Sequence, residues 1–128
     1  MADFRKLRVW QEAQALAVDA HRVTGQMRGT RSAVLRDQLI RAAMSVPTNI
    51  VEGSAHESPR EFARFLRYSI ASASEVEGHV QLARDMQLIS AADYTGLIGH
   101  VVAVRKMLYG LVRNIAPTDD GQRAATLT

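Results

Sequence analysis

The chain has 128 residues, enough for one domain that buries about two-thirds of the surface its unfolded form exposes, so no second core is required. It contains no cysteine, which excludes a disulfide framework and a thiolate metal site and fits a cytoplasmic protein. Its formal net charge is +3 with a pI near 9.8, and 14 of its 16 basic residues are arginine against Lys6 and Lys106; so mild a balance names no partner, although arginine makes bidentate bonds to phosphate that lysine cannot.

The opening MADFRKLRVW has basic residues but no apolar segment after them, and no uninterrupted apolar run is long enough to cross a bilayer. A soluble, unprocessed, cytoplasmic protein with no membrane partner is expected. In the first segment Val9, Trp10, Ala13, Leu16, Ala17, Ala20, Val23 and Met27 recur every three or four residues, which predicts a helix over about 8–28. GQMRGTRS then reads as a loop that ends at Ser32.

The second segment, about 33–54, carries one stripe of Leu35, Leu39, Ala42, Ala43, Val46, Ile50 and Gly53 and a second beside it of Ile40, Met44, Pro47 and Val51. Pro47 inside this helix should bend it, with Thr48 and Asn49 near enough to donate to loosened carbonyls. SPREF opens the third helix, about 59–86: Ser58 is a good N-cap, Pro59 suits the first helical position, and Glu61 completes a capping box. Its core face is Phe62, Phe65, Leu66, Ser69, Ile70, Ala73, Val76, Val80 and Ala83. The last helix, about 91–115, is capped by Ser90, with Asp93 in its first turn and Tyr94, Leu97, Ile98, Val101, Val104, Leu108, Leu111 and Ile115 inward. Residues 1–116 therefore predict one all-α, up-down-up-down antiparallel four-helix bundle, and 117–128 a loose tail.

If the second and third helices turn near residue 56, Glu52 comes level with Arg60 and Arg64, and Glu75 with Gln38 and Arg41. Together with Asn49 these residues read as interhelical polar clamps that fix register. VWQEA at 9–13, DQLIRAAMSVPTNIVEG at 37–53, REFARFLRYSIASASEVE at 60–77 and the following QLARDMQLI resemble the four-helix-bundle proteins encoded in intervening sequences of bacterial 23S rRNA genes. Accessory variability proteins of diversity-generating retroelements are similar. The resemblance spans residues 4 to about 115. It implies ring-like homopentamers and, on the retroelement side, partners that are nucleic acid and a reverse transcriptase. Ile40 stands where the resembled proteins have the first of two arginines, leaving Arg41 alone.

No enzyme is expected. His21, His56, His79 and His100 lie on separate segments; Glu75 and His79 are one helical turn apart, but no second such helix completes a bundle metal site, so no metal or other cofactor is expected. No phosphate-cradling glycine loop or nucleophile motif is present, and the serines of SIASAS read as small residues for close packing.

Two binding classes remain. Arg60, Arg64 and Arg67 share one helix face, and Arg5, Lys6 and Arg8 add a basic N-terminal arm, a pattern suited to phosphate contacts that an oligomer multiplies. Aromatic stacking is expected to add little, because Trp10 and the phenylalanines fall on core faces. The alternative is a protein-interaction scaffold, such as a reverse-transcriptase accessory, without direct nucleic-acid binding. In both, Ile40, Met44, Val51, Ala15 and Val18 are apolar beyond the needs of one core and predict a self-association surface.

Overall fold

A computed structural model of the protein describes residues 3–115. A short 3-10 turn over Phe4–Lys6 leads into α1 (Arg8–Thr24), and a second over Thr30–Ser32 leads into α2 (Ala33–Ser54); α3 (Pro59–Asp85) and α4 (Ala91–Ile115) follow. The domain end at 116 and the predicted tail at 117–128 lie outside the described residues.

Each helix packs on two others. Among the described residues the diagonal pairs α1–α3 and α2–α4 bring no Cα atoms within 8 Å. Rising numbers on one helix meet falling numbers on its neighbour: Ser45 meets Ser72 and Val46 meets Ser69 across α2 and α3. Glu77 meets Arg105 across α3 and α4, and Glu12 meets His100 while Arg22 meets Asp93 across α1 and α4. Neighbours in the bundle are thus antiparallel. The core between them is aliphatic, and Leu16, Leu39, Ile50, Leu66, Leu97 and Leu108 are its largest fully buried side chains. Ala63 belongs to this core too, three residues before Leu66; the phenylalanines on either side of it draw the eye but are only half-buried.

Local chemistry sets the helix ends. α1 stops at Thr24, short of the 28 its periodicity predicts, and Thr24 turns its hydroxyl back onto the His21 carbonyl at 3.0 Å. Met27 still points inward because it closes the end of the bundle against Leu35 and Ala83, so the apolar rhythm outruns the helix. Gly29, at φ 87°, makes the reversal into α2 that an L side chain resists. Ser58 Oγ accepts the Glu61 N–H at 3.3 Å, but the Glu61 carboxylate pairs with Arg64, so the capping box is half-made. Ser90 caps α4 through the Asp93 N–H at 3.1 Å.

α4 has the most apolar composition of the four helices, and by length and composition alone it is apolar enough to cross a membrane. Glycines and the pair Arg105 and Lys106 interrupt its apolar runs and hide this in a residue-by-residue reading. In the bundle Leu97, Val101, Val104 and Leu108 are wholly buried in the core, while Ile98, Val102, Leu111 and Ile115 are half-buried.

Candidate nucleic-acid interface

In the stretch SVPTNIVEGS, which ends α2, Ser45, Val46 and Gly53 meet α3. Ser45 and Ser72 share a hydrogen bond of 2.8 Å, and Asn49 Nδ2 donates to the Ser45 carbonyl at 2.8 Å and to its hydroxyl at 2.9 Å. Ser69, fully buried on α3, donates to the Val46 carbonyl at 2.7 Å. Pro47 is buried within a helix that continues through it. At Gly53 the two helices pack tightly: a Cβ there would lie 2.8 Å from Phe65 Cβ and 2.9 Å from Phe62 Cδ1.

These neutral contacts stand where the clamps were expected. Gln38, Arg41, Glu52 and Glu75 are exposed, and among the described residues none of them pairs across the α2–α3 seam; Asn49 donates within α2 and reaches the seam only through Ser45. The reason is angular. Glu52 and Glu75 each stand two positions after a core residue, Ile50 and Ala73, and two steps on an α-helix turn a side chain by about 200° to the far side. Charged links form elsewhere, such as Arg105 with Glu77 at 2.6 Å, while Arg22 bridges Asp19 at 2.9 Å and Asp93 at 3.2 Å.

On the outer side of α3, Arg60, Arg64 and Arg67 are all exposed, at i, i+4 and i+7. Arg64 is held by Glu61 at 2.8 Å and donates to the Tyr68 hydroxyl at 3.0 Å. Its hydrogen bonds lower the Glu61 carboxyl from its ordinary value, and donating to Glu61 and then to Tyr68 raises the guanidinium in turn. Arg5, Lys6 and Arg8 are exposed on and just after the first 3-10 turn, with Arg5 paired to Asp3 at 3.2 Å. That turn touches α2 at the end of the bundle where α2 passes into α3, so the arm and the start of the arginine row occupy the same end.

The aromatic side chains also differ from expectation. Phe4 and Trp10 are half-buried and meet edge to face at 5.1 Å, whereas Phe65 sits at the rim of the core and Tyr68, which periodicity did not single out, is 46% exposed. Of the apolar residues assigned to self-association, Val18 and Met44 are 65% and 57% exposed, Ala15 is exposed, and Ile40 and Val51 are half-buried. Val18 and Met44 flank a groove of about 380 Å³ between α1 and α2, floored by Ala17 and Pro47. Among the described residues no group of three or more His, Cys, Asp or Glu side chains converges as a metal site would require. His100 Nε2 lies 3.6 Å from a Glu12 oxygen, while Glu75 and His79 make no such pair.

A family model for 23S rRNA-intervening sequence proteins matches residues 5–110. The fold resembles a crystal structure from Bacteroides thetaiotaomicron described as a protein with unknown function from the S23 ribosomal protein family. The TM-score is 0.77 at 20% identity, over 82% of this chain and 98% of that one. Identity that low speaks to the fold alone. No curated protein matches the sequence.

Proposed function

The chain belongs to the 23S rRNA-intervening sequence protein family, and on that premise we propose that it is a non-enzymatic, homo-oligomeric helical bundle that binds RNA or DNA in the cytoplasm. The observation that carries this reading is the arginine row: Arg60, Arg64 and Arg67 present three guanidinium groups on one rigid face of α3. Phosphate contacts of this kind release counterions and read no bases. One protomer offers few of them, so assembly matters. A ring, pentameric as in the proteins that the sequence resembles, repeats the row once per subunit and converts weak contacts into avidity.

A labelled oligonucleotide followed by fluorescence anisotropy at two salt concentrations tests the reading. Replacing Arg60, Arg64 and Arg67 together by glutamine weakens binding for every sequence and lowers the slope of log affinity against log salt by about 2 for each protomer that contacts a single strand. Glutamine retains helix propensity, so the fold persists. A wild-type protein that fails to bind at low salt overturns the reading.

A second reading is favoured by Val18 and Met44, whose exposed side chains border the α1–α2 groove. It is a self-assembling scaffold that engages another protein, for which the retroelement resemblance supplies a reverse transcriptase. Co-purification with a reverse transcriptase encoded beside this gene, without oligonucleotide binding, distinguishes it.

A further inference from the structure

Beside the arginine row the turn from α2 to α3 gathers a set of rings. His56, in the turn, stacks on Phe65 with centroids 5.2 Å apart and planes 16° apart, and Phe65 meets Tyr68 edge to face at 5.6 Å. The Arg64 guanidinium lies 4.9 Å from the centroid of Phe65 and 5.6 Å from that of Tyr68. Its bonds to Glu61 and to the Tyr68 hydroxyl fix it there. The close approach at Gly53 sets Phe65 at the rim of the core, which keeps the cluster at the surface. His56, Arg64 and Tyr68 are all exposed.

We propose that this cluster is a stacking platform for unpaired bases, so that the protein prefers single-stranded nucleic acid to duplex. The inference rests on the nucleic-acid reading above and names the form of its ligand. Glu57 and Glu61 stand among the three arginines and offset part of their attraction for phosphate, so a contact that does not depend on charge adds to what the row supplies. Rings and a guanidinium plane supply what charge does not: every base has a π-face, and stacking on an aromatic side chain survives salt that screens phosphate contacts. A duplex hides those faces inside its own stack. Tyr68 is the natural contact, since its hydroxyl oxygen accepts from Arg64, which holds the ring in place while much of it meets solvent.

An oligonucleotide and an abasic strand of equal length, which keeps the phosphates and lacks the bases, separate the two contributions. The wild type binds the intact single strand at least about fivefold more tightly than the abasic one. Tyr68→Leu abolishes that preference, and Tyr68→Phe, which keeps the ring and loses only the hydroxyl, retains it. Equal affinity of the wild type for both strands overturns the platform and leaves the phosphate-binding reading standing. A preference that survives Tyr68→Leu also overturns it, by placing the stacking elsewhere. Binding to neither strand at low salt removes the nucleic-acid reading and the platform with it.

Discussion

Two hydroxyl contacts, the buried Ser69 with the Val46 carbonyl and the half-buried Ser45 with Ser72, tie α3 to α2 where charged side chains were expected to do so. A neutral buried hydrogen bond contributes about 1 kcal/mol net, and an exposed glutamate without a partner contributes almost nothing. Ser69→Ala should therefore lower the urea midpoint by the equivalent of about 1 kcal/mol at unchanged m, and Glu75→Ala should change it by less than about 0.5 kcal/mol. Equal losses would restore the clamp. Gly53→Ala is the harsher test, because its added methyl meets Phe65 Cβ and Phe62 Cδ1 inside 3.0 Å. It should cost about 1–3 kcal/mol and move Phe65 at the edge of the ring cluster. Asn49 was visible in the sequence as a polar residue on an apolar helix, whereas the α3 serines read only as small packing residues. Their partners were not visible, because a two-residue error in judging a helix face carries a side chain from the seam to solvent.

At the scale of elements, apolar periodicity locates all four helices, and the caps at Ser58 and Ser90 mark two of their starts. Ends are harder to read. α1 stops before its apolar rhythm does, since Met27 continues to plug the bundle from outside the helix. α3 closes through Gln87 in a left-handed conformation at φ 61°, with the Leu88 N–H donating to the Ala83 carbonyl at 2.9 Å. That geometry favours glycine, and QLARDMQLI has none to announce it. Gln87→Gly should thus stabilise the bundle by about 1 kcal/mol and raise its melting temperature by a few degrees, measured by calorimetry. A drop in melting temperature would mean that the Gln87 side chain makes a contact worth more than the strain.

For the whole molecule, the α3 face was read as three arginines, and its rings were overlooked because Phe65 falls on a core-facing position while Tyr68 lies outside the apolar stripe. Only the packing of the α2–α3 turn brings them together. The exposed Met44, by contrast, follows from counting, since helix 2 has two apolar stripes and one core to fill, and Val18 is the surplus apolar residue facing it on helix 1. An assembled protein would cover part of that surface and present several arginine rows and ring clusters to one strand. The central claim joins assembly to binding, and light scattering after size exclusion, with and without a single-stranded RNA long enough to reach several protomers, tests both at once. The account predicts a species several times 14.1 kDa that gains the mass of bound RNA at low salt. A peak at 14.1 kDa, or an oligomer whose mass the RNA leaves unchanged, would contradict it.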